Sequence, residues 1–298
     1  MATLTTSDVT LPTQIADGIV EKTKYGSTIA ALSGRDPMRF GDVNIVTFND
    51  DLTAEFVEEG AAKSDDDAAP DVVVAVPHKA VVNFRTSNEF LFAEEDYQLG
   101  VLDKFEEKCA RALARGLDLG AYFRINPRTG NAISAWTNYM NTTTERVTAT
   151  ADPDLDIELA AGSIIENGWM VNGIAFDPTF AWTVSTARYE DGRKKFPELG
   201  MSVTPSAFEG VAASTSNTVS GRPEATDTGV RAFIGDFENG IRWGVQRNMP
   251  FRMLEYGDPD NTGRDLAGHN EVLFRAEVIY AWYVFVDAFA AIDAAASA

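Results

Sequence analysis

The sequence is poor in the residues that build disulfides, metal centres and nucleic-acid surfaces. Its 298 residues include one cysteine, Cys109, and two histidines, His78 and His269. One cysteine cannot form an internal disulfide, and three such ligands are too few for a zinc finger or an iron–sulfur cluster. Lysine and arginine number 25 against 45 acidic residues, which gives a net charge of −20. This charge disfavours a nucleic-acid-binding protein and a partner with an anionic membrane surface.

Long apolar runs and targeting signals are also lacking. Residues 1–10 contain no basic start followed by an apolar run, so they do not have the pattern of a secretory signal. The most apolar stretch, residues 278–296, is interrupted by Asp287 and Asp293, and its uninterrupted part is too short to span a bilayer. We therefore expect a soluble protein that is made in a reducing cytoplasm and has no membrane partner.

The common catalytic motifs are missing as well. No GxxxxGK[ST] loop, GxGxxG turn, GxSxG elbow or HExxH helix occurs. His78 falls in a segment predicted to be an exposed ribbon, and His269 falls in a Gly/Asp-rich loop, so neither is expected to serve as a shielded catalytic base. The sequence thus predicts a protein that is not an enzyme, with no catalytic residue, no cofactor and no resident metal.

One loop partly matches a calcium-binding pattern. Residues 258–263 place side-chain oxygens at positions one, three and five (Asp258, Asp260 and Thr262) and Gly263 at position six, as in the first half of an EF-hand loop. The bidentate glutamate expected at position twelve is His269 instead. A tight polar turn is the favoured interpretation, and occasional binding of an ion stays open.

The first part of the chain is predicted to form an arm and a ribbon. Residues 1–37 show no sustained core-forming period and are interpreted as an N-terminal arm. Residues 38–86 contain β segments at 43–48, 52–57 and 72–84. The connection from Glu58 to Asp71 has six acidic residues and one lysine, which is typical of a solvated hairpin tip. An isolated two-stranded hairpin is marginal in water, so this ribbon is expected to lie on something else.

The clearest element is a helix at residues 94–123. Apolar residues recur there in steps of three and four, and Cys109 lies on this stripe, where we expect a buried thiol. Beyond it the sequence predicts strands at 147–149, 182–185, 232–237, 241–245 and 273–285, and helices at 154–167 and 178–188. Residues 211–229, rich in Ser, Thr, Gly and Ala, are predicted to be a mobile surface loop.

Several motifs follow one another in the order seen in a known family. They are Ala54–Lys63, Ser87–Leu91, the Phe233–Phe237 sequence FIGDF with Gly240-Ile241, the Asp/Gly-rich loop 258–263, Leu273–Glu277, and Asp287-Ala288-Phe289. Each motif alone is weak, but their common order covers essentially the whole chain. In this respect the sequence resembles the major capsid proteins of tailed double-stranded DNA bacteriophages.

This resemblance implies an α+β fold of the tailed-phage capsid type. Its parts would be an N-terminal arm (1–37), an extended β-hairpin loop (38–86), a peripheral domain with the long helix (87–150 and 245–280) and an axial domain (151–244 and 281–298). It implies a structural role, in which hexamers and pentamers of the chain form an icosahedral shell around the phage genome without sequence-specific DNA binding. An encapsulin-type nanocompartment shell, which has the same fold, is the alternative.

The resemblance also implies partners and contacts. Many copies of the chain, a separate scaffolding protein and a portal would be partners, with decoration proteins left open; the protein would reside in the virion, and in the host cytoplasm before assembly. The candidate inter-subunit contacts are Glu58, Glu59, Lys63, Asp258, Asp260 and Arg264. Some relatives join subunits covalently through a loop lysine; Lys63 and Lys79 are the loop lysines here, and no acceptor is identified.

Overall fold

The chain folds into both α-helices and β-strands. The computed structural model describes residues 26–48, 54–59, 62–63, 70–89, 95–200 and 203–295. The helices are α1 (Thr28–Leu32), α2 (Glu95–Phe123), α3 (Pro153–Glu166) and α4 (Pro178–Thr186). The strands are β1 (Val43–Phe48), β2 (Pro70–Ser87), β3 (Arg146–Thr148), β4 (Gly173–Phe176), β5 (Ala207–Phe208), β6 (Val211–Thr215), β7 (Val230–Gly235), β8 (Ile241–Leu254), β9 (Glu271–Val284) and β10 (Phe289–Asp293). In the described part of the chain, no helix combines the length and the apolar character needed to cross a membrane.

The strands form two sheets. The first is antiparallel with the order β1-β2-β9-β8, and the second is mixed with the order β3-β10-β7-β4-β6-β5. Strand β2 pairs with two different strands of the first sheet. Residues 70–75 pair with β1, whereas residues 76–87 pair with β9. The second half of the predicted ribbon therefore pairs with a strand of the body.

The long helix α2 supplies one wall of the core beside this sheet. Phe105, Cys109, Leu113 and Leu117 form a buried stripe, as their spacing predicts. Burial, with a smaller contribution from the charge of Glu106, raises the pKa of the Cys109 thiol to about 12. The prediction of a buried thiol is confirmed.

A buried carboxylate joins α2 to the N-terminal segment. Asp118 is fully buried and accepts hydrogen bonds from the Ser27 hydroxyl, from the Thr28 N–H and hydroxyl (3.0 and 2.9 Å) and from the Thr218 hydroxyl (2.8 Å). Burial raises the pKa of Asp118, and these hydrogen bonds act in the opposite direction. Residues 26–33 are thus held in the core, with Ile29 completely buried. The prediction of a coreless arm is wrong for this part; residues 1–25 lie outside the described residues.

The segment predicted as a mobile loop is also part of the core. Residues 211–229 contain β6 and a short 3-10 helix. Thr218 donates to Asp118, and the Ser220 hydroxyl donates to Asp177 at 2.6 Å. Burial raises the pKa of Asp177, but hydrogen bonds from Ser220, Thr179 and Arg222 outweigh this effect and hold it below its usual value. The Ser and Thr residues that indicated a loop are the donors to two buried acids, so the prediction is wrong.

The sequence predicts both a helix at 178–188 and a strand at 182–185 inside it, and the structure has a helix there. The Asp177 carboxylate caps α4 by accepting from the Thr179 N–H at 2.9 Å, and Pro178 occupies the first turn. The predicted helix at 178–188 is therefore correct in type, whereas the strand predicted at 182–185 is wrong. Strands β4 and β10 were not predicted, and both are buried in the second sheet.

The FIGDF motif forms a tight corner between β7 and β8. A Cβ on Gly235 would lie 2.0 Å from the Ala288 carbonyl oxygen, and one on Gly240 would lie 2.5 Å from the Ala288 Cβ. The Asp236 carboxylate accepts two backbone N–H groups of the following turn at 2.9 and 3.1 Å. The close approach of Ala288 requires the two glycines, whereas Asp236 satisfies the backbone N–H groups of the turn.

We expect Asp118→Ala to lower the free energy of unfolding by about 2–4 kcal/mol, because it leaves several buried donors without an acceptor. Asp191→Ala, at an exposed carboxylate that pairs only with Arg193, should change it by less than about 0.5 kcal/mol. Denaturant unfolding followed by circular dichroism measures both. Equal effects of the two substitutions would show that the buried carboxylate does not hold the N-terminal segment.

Candidate assembly surfaces

The hairpin formed by β1 and the first part of β2 presents an apolar face to solvent. Val46, Val74 and Val76 lie on one side of it and are 40–59% exposed, whereas Ala75 on the other side is buried. Further along β2 the same side covers α2, since Phe84 contacts Phe105 with ring centroids 4.8 Å apart. The apolar face of the sheet therefore continues beyond the helix that covers it.

The described part of the hairpin connection is exposed. Phe56 is completely exposed, and Glu58, Glu59 and Lys63 are exposed beside it. The strand predicted at residues 52–57 is wrong for its described part, because residues 54–57 have no strand structure. Among the described residues, positions 54–59 are exposed and belong to no strand.

Arg85 organises the Asp/Gly-rich loop at the far end of β2. Its guanidinium donates to Asp260 (Nε–Oδ2, 3.1 Å), Asp258 (Nη2–Oδ1, 3.2 Å), Glu271 (Nη1–Oε2, 2.8 Å) and the Arg264 carbonyl (3.2 Å). Hydrogen bonds to Asp260 and then Glu271 raise the pKa of Arg85 above its ordinary value. One positive group thus holds three carboxylates and fixes the shape of the loop.

Asp258 also shapes this loop from within. Its carboxylate accepts from the Thr262 N–H at 3.0 Å and the Gly263 N–H at 2.7 Å. Burial raises the pKa of Asp258, but these backbone hydrogen bonds outweigh that effect and lower it. Both candidate ion ligands, Asp258 and Asp260, face the guanidinium of Arg85, and in the described part of the chain no cluster of three acidic, His or Cys side chains is placed to hold a metal.

The six predicted contact residues therefore fall into two groups. Asp258, Asp260 and Arg264 meet around Arg85, while Glu58, Glu59 and Lys63 lie on the hairpin connection. The sequence reasoning missed Arg85 and Glu271. The available signal was a basic residue that directly follows the long apolar strand predicted at 72–84. Of the two loop lysines, Lys79 pairs with Glu277 on the neighbouring strand at 3.1 Å.

A pocket lies between β2, α2 and the loop after that helix. Its volume is about 400 Å³, and its lining is mainly apolar, including Leu113, Pro127, Trp136 and Trp282. His78 stands between the two indoles, with ring centroids 4.0 and 4.2 Å away. Burial lowers its pKa to about 4. The prediction of an exposed His78 is wrong, because β2 carries it into the body instead of into a free ribbon.

A second exposed apolar face lies on the other sheet. Leu155 and Leu159 are one turn apart on α3, and both are about half exposed. Trp182 on α4 is also exposed, and the two helices are in contact. The opposite side of α3 is buried against the second sheet through Ile157, Ala160 and Ile164.

We expect His78 to make stability depend on pH between about 6.5 and 4. Its pKa is lower in the folded chain than in the unfolded chain, so its contribution is present above pH 6.5 and is lost as pH falls towards 4. The size is about 1–2 kcal/mol, once partial access of water is allowed for. Denaturant unfolding at pH 7 and pH 4 should show a smaller loss for His78→Phe and His78→Gln than for the parent chain. The same loss in all three would contradict this.

Comparisons with known proteins agree on one family. The sequence model of the phage capsid family matches residues 7–293. A solved chain from Mycobacterium phage Ogopogo is 37% identical with a TM-score of 0.81, covering 91% of this chain and 92% of that chain. One from Gordonia phage Cozz is 29% identical with a TM-score of 0.79, covering 91% and 87%. The capsid of a native GTA particle shares the fold at 16% identity and a TM-score of 0.60, covering 92% and 91%. No curated protein matches.

Proposed function

The chain belongs to the phage capsid family, and we propose that its copies join through the exposed hairpin face and the Arg85 loop. The predicted tailed-phage capsid fold is confirmed, and the protein is a major capsid protein, a structural component of the virion that self-assembles into the shell. The alternative of an encapsulin-type compartment is not favoured, because the relatives with the highest identity given above come from phages.

The hairpin face is the observation that carries the proposed contact. Val46, Val74 and Val76 continue the apolar side of a sheet past the edge of its own body. A two-stranded hairpin is not stable on its own in water, and neighbouring apolar side chains of this kind are buried in a partner. A second copy of the chain supplies that partner. Because the hairpin and the surface that receives it differ, the contact is head-to-tail and closes into rings such as hexamers and pentamers.

The Arg85 loop is proposed as the contact between such rings. Asp258, Asp260 and Arg264 are held in a single arrangement before any partner arrives, so little ordering is needed on association. The Arg264 side chain remains about half exposed while pairing with Glu271 at 2.6 Å. Glu58, Glu59 and Lys63 are proposed as contacts of the hairpin itself, supported by their exposure next to Phe56.

The proposed division into parts has partial support from the two sheets. We propose an arm (1–37), an extended loop (38–86), a peripheral domain (87–150 and 245–280) and an axial domain (151–244 and 281–298). Support comes from the first sheet, which lies against α2, and the second sheet, which is covered by α3. The arm would include α1, docked on Asp118.

The other partners that we propose are supported by the net charge of the chain and by its family. Copies that each carry −20 repel one another and repel DNA, which supports a container that encloses the genome without binding its sequence. A separate scaffolding protein in the host cytoplasm would offset the repulsion among copies, and a portal and decoration proteins would complete the virion. The protein is proposed to have no enzymatic activity, which the capsid family membership supports.

We expect Val74→Lys to prevent closed shells while leaving the fold of the single chain intact, because the side chain is exposed in the monomer but buried on assembly. Val203→Lys is the matched control, since Val203 is the same residue type with nearly the same exposure, 38% against 40%. Circular dichroism and negative-stain electron microscopy on the same preparations decide the matter. Normal shells from Val74→Lys would show that the hairpin face is not a contact.

A further inference from the structure

We propose that Phe56 of one copy docks in the pocket between α2 and β2 of a second copy. This inference rests on the proposed assembly through the hairpin and names the residue and the receiving site. It starts from two features that the chain leaves unmatched: a completely exposed phenylalanine and an apolar pocket open to solvent.

The pocket has the size and lining for an aromatic ring. Its volume is about 400 Å³, whereas a dry apolar cavity of about 150 Å³ already holds benzene. Leu113 and Gly116 of α2 form one wall, Pro127 and Trp136 of the following loop form another, and Trp282 closes the base. Aromatic side chains that fill such pockets dominate the energetics of protein interfaces.

The direction of β1 favours a second copy as the source of the ring. Strand β1 runs antiparallel to β2, from Val43 opposite Ala75 to Phe48 opposite Pro70. The pocket is lined by residues 78–83 of β2, beyond the Ala75 end of this pairing. The chain therefore leaves β1 in the direction away from its own pocket, and we assign the docked ring to another copy.

The charges of the two surfaces that would meet are opposite in sign. The sequence between β1 and β2, residues 49–69, has eight acidic residues against one lysine, a net charge of −7. Arg128, which is exposed, and Glu224 are among the residues that line the pocket. By their helical spacing Lys104, Lys108, Arg111 and Arg115 share one side of α2, the helix that supplies Ala112, Leu113 and Gly116 to the pocket. Two of these arginines already have partners, since Arg111 pairs with Glu107 and Arg115 with Glu224. The surface is nevertheless basic in a strongly acidic protein, and it would attract the acidic connection of a neighbour.

Disulfide trapping tests the docking. The variant Phe56→Cys with Ala112→Cys places one thiol on the loop and one at the exposed pocket wall. The native Cys109 is buried, so it does not compete. Phe56→Cys with Leu159→Cys, a site of similar accessibility on α3, is the control. Assembled particles are oxidised and examined on non-reducing gels.

We expect a ladder of covalent multimers from the Ala112 pair, at least about tenfold more abundant than from the Leu159 pair. A disulfide closed within one chain would overturn docking in a second copy, and shells without a disulfide would overturn the docking site. A parent chain that forms neither capsomers nor shells would overturn the proposed function itself, so the two failures are distinguishable.

A second measurement does not depend on thiols. Phe56→Ala should lower the yield of closed shells about tenfold, the loss expected when a central aromatic anchor is removed. Val57→Ala, next to it on the loop, should have little effect, and Phe56→Trp should retain assembly. Because Phe56 is fully exposed, none of these changes should alter the fold of the monomer. An unchanged yield for Phe56→Ala would contradict the proposal.

Discussion

The length of β2 relative to the body beside it is the constraint on which the rest of the structure depends. A sheet face is stable only where something covers it, and α2 with the core of the body covers β2 from His78 onward. Its first residues, together with β1, extend past this cover and keep the alternation that buries side chains elsewhere on the same strand. One end of the strand is thus covered within the single chain, and the other end leaves apolar side chains exposed. The contact that we propose between copies rests on this division.

Periodicity was enough to predict the elements that pack as regular, one-sided units. The spacing of Phe105, Cys109 and Leu113 gives the long helix and its buried stripe without further information. The buried strand β10 was not predicted because it follows β9 within one apolar stretch of sequence. The corner at Ala288 that separates the two strands is set by tertiary contacts with Gly235 and Gly240. Local sequence contains no signal for such a corner.

Polar residues were harder to place than apolar ones. Residues 211–229 are rich in Ser, Thr and Gly, which is typical of a loop. The hydroxyls of Thr218 and Ser220 nevertheless donate hydrogen bonds to buried carboxylates that lie 100 and 43 residues away in the sequence. Arg85 and the loop at Asp258 are separated by more than 170 residues, so the cluster exists only once β2 and β9 are paired. The predicted contact residues were found through family resemblance, and the arginine that orders three of them was found through the structure.

The position of β1 has a consequence for the protein before it assembles. Among the described residues β1 is the outer strand of the first sheet, and an outer strand with an apolar face is a template for uncontrolled strand pairing. The sequence that joins β1 to β2, residues 49–69, has eight acidic residues and one lysine. Charged residues beside such a strand oppose the pairing of identical copies, so this composition would protect single chains from aggregation.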